Sequence, residues 1–243
     1  MRRIRLATGP SALFLALFVA ALIIFLPLRL ALGWFGLAAQ GMTAREVTGS
    51  IWAGELREAS FGRIALGDLS AGVSPVQLFV GRARVNLEGL ADAPEAAARL
   101  TGAIGVSRHS FGIDDLTASL PVGGTFRPVP VTLLDLQDVS VRFRGDTCEQ
   151  AEGRVRATMG SEIGGIAVPA ALNGNARCDA GALLLPLVSA AGNEGSTIRI
   201  WPDGRYRAEL TLQPSDPASG TKLQAIGFIQ TQRGMELAIE GRF

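Results

Sequence analysis

From Ser11 to Leu28 the chain reads SALFLALFVAALIIFLPL, eighteen residues without a charge. A helix rises about 1.5 Å per residue, so this tract covers roughly 27 Å, close to the hydrocarbon thickness of a bilayer. Arg2, Arg3 and Arg5 precede it, and no acidic residue occurs before Glu46. A basic flank on one side only places that side in the cytoplasm and sends the rest of the chain across the membrane. The expected organisation is a basic cytoplasmic tail over 1–10, a transmembrane signal anchor over 11–39 and a translocated domain over 40–243. Residues 40–145 and 146–243 are candidate halves of that domain.

The same start also fits a secretory signal peptide cleaved after Leu37-Ala38-Ala39, before Gln40. Signal peptides have apolar cores of about 7–15 residues, shorter than this tract, and Arg29 interrupts the path to the cleavage site. The anchor is the reading carried forward. It puts Trp34 and Phe35 at the membrane–water interface, where amphipathic rings are favoured, and it lets Pro27 kink the far end of the helix.

About 200 residues remain beyond the leader, enough for one large or two small domains with a real core. Four of the 23 basic residues (Arg2, Arg3, Arg5 and Arg29) lie in the leader, against 22 acidic residues in the whole chain. The remainder is therefore mildly acidic, which argues against nucleic acid as a partner, because that binding needs clustered cations. Cys148 and Cys178 are the only cysteines. In an oxidising compartment they read as one disulfide closing a loop of about thirty residues, with free thiols as the alternative. One histidine and two distant cysteines do not make a structural zinc site, and the pair is not a Cys-x-x-Cys redox motif.

Beyond Gln40 the chain alternates in short segments broken by Gly, Pro, Asp and Asn, the spacing of an all-β domain. Arg45 to Ala53 alternates. Arg82 to Glu88 sets Ala83, Val85 and Leu87 against Arg82, Arg84, Asn86 and Glu88. Ala103 to Val106 and Asp115 to Leu120 continue the style, while Leu133 to Asp138 fits a strand, a turn or a helix start. Ala91 to Leu100, rich in alanine with Pro94 near its first turn, predicts one short helix. Thr197 to Trp201 and Arg205 to Leu212 flank Pro202-Asp203-Gly204, a turn sequence. Leu223 to Thr231 and Met235 to Phe243 predict a second hairpin, with Ser215 to Thr221 as a loop between the two. The fold class expected is mainly β: an N-terminal transmembrane helix, then an antiparallel, curved β-sheet domain with one short helix.

Val47 to Gly54, VTGSIWAG, holds Gly49-x-x-Trp52-x-Gly54, and some twenty residues on comes Pro75-Val76-Gln77-Leu78-Phe79-Val80-Gly81. Further on stand Gly174-Asn175-Ala176-Arg177-Cys178-Asp179 and a Pro-Asp-Gly-Arg-Tyr turn. Behind one N-terminal apolar segment, these features resemble the protein N family of the bacterial type II secretion system. The motif residues are Gly49, Trp52, Gly54, Pro75, Leu78 and Gly81. The resemblance implies a non-enzymatic inner-membrane component with a periplasmic domain, helping assemble or support the apparatus that exports folded proteins. It implies other assembly-platform subunits as partners and no cofactor. On the residues alone, Trp52 is a core anchor on a strand or a contact for a neighbouring subunit. Pro75 to Gly81 is a turn, or an apolar contact through Leu78, Phe79 and Val80.

A catalytic set is not evident. His109 is the single histidine; Ser107, Ser110, Asp114 and Asp115 lie near it, but neighbouring strand residues point to opposite faces and do not converge as a triad. Gly160 to Gly165 lacks the lysine of a phosphate loop. The competing reading is a membrane-anchored carrier of lipid or another apolar ligand, which requires an uncovered face of Leu, Val and Phe. Open strand edges are natural sites for pairing with a partner strand.

Overall fold

The computed structural model describes residues 10–30, 42–79, 81–93, 95–123, 125–214 and 216–242. Arg2, Arg3, Arg5, Trp34, Phe35 and the Leu37-Ala38-Ala39 site lie outside the described residues, as do Val80 and Pro94. Helix α1 spans Pro10–Ile24. It ends short of the apolar tract's last residue, because Pro27 has no N–H to donate to a helical bond and disfavours helical backbone at the residue before it. Among the described residues no helix is long and apolar enough to cross a membrane.

Strands follow in chain order: β1 (Met42–Thr43), β2 (Glu46–Ser50), β3 (Ala53–Phe61) and β4 (Ile64–Val73). Helix α2 (Pro75–Phe79), β5 (Ala83–Gly89), helix α3 (Glu95–Ala98), β6 (Thr101–Val106) and β7 (Ser110–Pro121) come next. Then come β8 (Val131–Arg144), β9 (Thr147–Met159), β10 (Glu162–Ile163), β11 (Ile166–Ala167), β12 (Ala171–Asn175) and β13 (Arg177–Asp179). The chain closes with β14 (Ala182–Val188), β15 (Gly195–Ile200), β16 (Arg205–Leu212), helix α4 (Pro217–Ala225), β17 (Ile229–Thr231) and β18 (Gly234–Arg242). Apart from the small β10–β11 hairpin, the strands form one 16-stranded sheet, ordered β1-β3-β4-β5-β6-β7-β8-β9-β12-β14-β15-β16-β18-β17. Every pairing is antiparallel, as short polar–apolar alternation demands. Leu133 to Asp138, open at the level of sequence, belongs to β8.

Several local expectations change. Arg45 to Ala53 is not one strand: Ile51 and Trp52 form the turn between β2 and β3, so Trp52 lies at a hairpin tip and is only half-buried. After α1 the described residues hold helical segments at 28–30, Pro75–Phe79, Glu95–Ala98 and Pro217–Ala225 instead of one short helix. Pro75–Phe79 is a helix, and the alanine-rich helix shortens to Glu95–Ala98. Ser215 to Thr221 does not stay a loop and Leu223 does not begin a strand. Asp216 caps α4 by accepting from the Ser219 N–H at 2.8 Å, with Pro at the first helical turn. Only Ile229–Thr231 remains of the strand expected there.

The sheet is bent at bulges. Registers shift in β3 between Leu56 and Ala59, in β7 between Ile113 and Leu116, and in β8 between Gln137 and Ser140. The extra residues Glu58, Asp115 and Asp138 take φ of 49°, 52° and 52°, the left-handed backbone that a bulge tolerates in a short polar residue. Twist adds to the bend. Five strand steps separate β8 from β16, and the right-handed twist accumulated over them makes the two strands cross. That crossing brings Tyr206, at the start of β16, onto residues 122–130 between β7 and β8. Its ring meets Phe126 edge-on at 5.3 Å between centroids.

Two apolar cores result. The smaller is built on Leu56, Leu69, Ala71 and Leu100 and takes in Leu28 from the N-terminal segment. The larger gathers Val122, Phe126, Val155, Leu172, Ile198, Leu210 and Leu223 from β8 onward and from the segment before it. On β16, Tyr206, Ala208, Leu210 and Leu212 point inward, as their period of two predicts. Cys148 and Cys178 form a disulfide with Cα atoms 5.5 Å apart, fastening the start of β9 to β13.

Candidate functional site at the helix–sheet junction

Of the six residues singled out in the sequence, Gly49, Trp52 and Gly54 lie on the β2–β3 hairpin where the segment after α1 meets the sheet, and Pro75, Leu78 and Gly81 lie on α2 and its end, after β4. Gly49 and Gly54 face each other as a register pair of the β2–β3 hairpin. Gly49 has φ of 78°, and a side chain there would strike the Ala53 carbonyl. A side chain at Gly54 would strike Leu28. The two glycines therefore make the space in which a tight turn and Leu28 coexist.

The segment after α1 is stitched into this turn. The Ile51 N–H donates to the Leu26 carbonyl at 3.0 Å, and Pro27 bridges Ser50. On the other side of the turn, the Val73 N–H donates to the Ile51 carbonyl at 2.8 Å. The Trp52 carbonyl lies 2.6 Å from where a side chain at Gly72 would begin, so the turn rests directly on β4. Sequence reasoning missed the pairing of residues 26–28 with the hairpin. Its one available signal was Pro27, a helix breaker in a tract otherwise suited to continuing.

Pro75 and Gly81 acquire definite roles one strand further on. Pro75 starts α2, where its missing N–H has no helical partner to lose. The Gly81 N–H donates to the Leu78 carbonyl and the Arg82 N–H to the Gln77 carbonyl, both at 3.0 Å. With Gly81 at φ of 74°, this is the paired-bond stop of a helix on a left-handed glycine. Leu78 and Val76 remain exposed. The Pro-to-Gly segment is thus a start and stop signal for one helical turn between β4 and β5.

The residues considered for catalysis do not meet. His109 is exposed in the β6–β7 turn, where its carbonyl accepts from the Gly145 N–H. Ser107 and Ser110 bond to each other at 2.7 Å. Asp114 faces Arg82 at 3.1 Å and Arg84 at 3.3 Å, while Asp115 bonds with Ser140. A polar depression lies over Gln150 and Glu152 beside these groups, and a second over Gln213, Gln224 and Arg233 beside α4. Among the described residues no group of three His, Cys, Asp or Glu side chains is placed to hold a metal.

What the arrangement offers instead is edges. β17 covers β18 only over residues 234–236, leaving residues 237–242 without a strand neighbour on that side among the described residues. At the opposite end of the sheet, among the described residues β2 takes on its outer side the Pro27–Ser50 bridge, next to the Leu26–Ile51 bond, and no paired strand.

A family model described as type II secretion system protein N matches residues 40–237. A relative from Vibrio cholerae serotype O1, named type II secretion system protein N, is 24% identical over 220 residues, covering 86% of this chain and 86% of its own. No solved structure matches.

Proposed function

The chain belongs to the type II secretion system protein N family and is a component of that system, with other secretion subunits as its partners; on that premise we propose that it works as a non-enzymatic, inner-membrane-tethered scaffold. In this reading α1 sits in the cytoplasmic membrane and the sheet stands in the periplasm, offering its edges to subunits of the assembly platform. The observation that carries the reading is the surface of α1. The helix has no charged residue, and its described side chains are exposed on every side. A helix apolar all round needs a cover, and lipid is the solvent that covers all faces at once. Its stitching to the β2–β3 hairpin supports a tether that also orients the domain.

The open outer sides of β2 and β18 support edge pairing as the mode of contact, since unpaired N–H and C=O groups template an added strand. A photo-crosslinker at Thr48 or Glu240 in the native membrane is expected to capture secretion subunits. Deleting the gene is expected to reduce export. Unchanged export and unchanged complex assembly in the deletion would sink the scaffold reading.

A second reading, a tethered carrier of an apolar ligand, draws on the exposed side chains of Ile104, Val106 and Phe111, which share one sheet face by register. Against it, the two depressions described above are lined mainly by polar groups. Lipid co-purifying in fixed ratio with the detergent-extracted chain would favour it.

A further inference from the structure

We propose that the end of the sheet nearest α1 lies on the bilayer surface, with Val76, Leu78, Val106 and Phe111 as its apolar contacts and Arg108 beside them facing lipid phosphates. The inference rests on the membrane placement of α1 just given and adds an interaction surface to it. It starts from the brevity of the connection. Only Phe25 and Leu26 separate the last residue of α1 from the Pro27–Ser50 bridge, and two residues reach at most about 7 Å. The sheet end carrying that bridge cannot move away from whatever holds the helix.

A ladder of pairings runs laterally from that point. Leu26 bonds to Ile51, Ile51 to Val73, Val73 pairs with Val85, Ala83 with Val106, and Val106 with Phe111. Five lateral steps at a strand spacing of about 4.8 Å put Phe111 roughly 24 Å from Leu26 across the sheet, at the same end. Along that end Val76 is 71% exposed, Val106 49%, Leu78 42% and Phe111 40%. These four exposed apolar groups thus lie along the edge that the tether holds against the bilayer, whereas the far end carries one, Phe61 at 38% exposed. Arg108 is exposed in the turn between Val106 and Phe111 and has no ion pair among the described contacts. Apolar side chains with a neighbouring cation at one level are the pattern that seats a surface in the headgroup region. The β3–β4 turn at Arg63 is at the far end, roughly 27 Å along β3.

The test uses the full chain in nanodiscs of phosphatidylethanolamine and phosphatidylglycerol, with single cysteines bearing an environment-sensitive fluorophore at Leu17, Leu78, Val106 or Arg63. Quenching by lipid spin-labelled at the headgroup is expected to be at least about twofold stronger at positions 78 and 106 than at 63, with position 17 quenched by a label deep in the acyl chain. If position 17 is quenched in the core while 78 and 106 match 63, the surface contact is overturned and the anchor stands. If position 17 escapes the deep quencher, the anchor reading falls and the surface contact with it. Lipid retained on the chain in fixed ratio after detergent exchange would overturn the contact in favour of a bound-ligand site.

Discussion

The Tyr206 hydroxyl donates to the Thr125 carbonyl at 2.8 Å, joining β16 to the β7–β8 connection, whose following strand β8 stands five places away in the sheet. The bond locks the crossing of the curled sheet on itself. Tyr206→Phe keeps the ring against Phe126 and removes only the hydroxyl, so it is expected to lower stability by about 1 kcal/mol. Phe126→Ala leaves a cavity in the larger core and is expected to cost about 3–5 kcal/mol. Urea unfolding of both variants checks the ratio. A Tyr206→Phe effect equal to that of Phe126→Ala would contradict the division of labour.

Gly49 and Gly54 should respond differently to the same change. At Gly54 the nearest obstacle to a new methyl is the Leu28 side chain, followed by the Ser50 and Thr48 carbonyls at 3.0 Å; at Gly49 it is the Ala53 backbone. Both alanine variants are expected to lose roughly 1–3 kcal/mol. Leu28→Ala should recover part of the Gly54→Ala loss and none of the Gly49→Ala loss. A double-mutant cycle read by thermal unfolding settles it.

Reduction of Cys148–Cys178 frees a loop with a sequence separation of 30. In the chain-entropy account the reduced chain is less stable by roughly 3–4 kcal/mol. The Cys148→Ser, Cys178→Ser double variant should match the reduced wild type in denaturant midpoint, and adding reductant to it should change nothing.

Asp216 provides a pH test. The backbone N–H of Ser219, then its hydroxyl, hold the Asp216 carboxyl below its ordinary value. The lowered group contributes stability that is fully present above the unfolded value of about 3.9 and is lost as pH falls through the folded value beneath it. Asp216→Asn keeps a cap acceptor and removes the titration. Its thermal midpoint is expected to depend less on pH below about 4 than that of the wild type.

Much of the sheet was legible because alternation is a local signal. The faces of β5 and β16 follow from residues two apart, and Pro202-Asp203-Gly204 announces its own turn. The hairpin tip at Ile51 and Trp52 was not legible, since Val47, Gly49, Ile51 and Ala53 alternate as smoothly as a strand. The turn is decided by Gly49 in left-handed backbone and by Leu26, twenty-five residues away, pairing with Ile51. Helix α4 did carry a local signal, Asp216-Pro217 with Ser219 in capping position, which the glycine and serines around it obscured. As for the motif, Gly49, Trp52, Gly54, Pro75, Leu78 and Gly81 could be picked out singly, but only the structure shows that the first three shape a hairpin tip and the last three start, fill and stop α2.

The two residues between α1 and the sheet leave the tether without slack. A domain on a long linker samples many bearings, and each encounter with a partner pays for that freedom. On the proposed membrane placement of α1, a subunit in the same membrane meets the edges of β2 and β18 already oriented, at an effective concentration fixed by geometry. On that reading, edge contacts too weak to be detected in solution can suffice at the raised effective concentration. Inserting a few Gly-Ser repeats after Phe25 would leave every contact surface intact and remove that advantage.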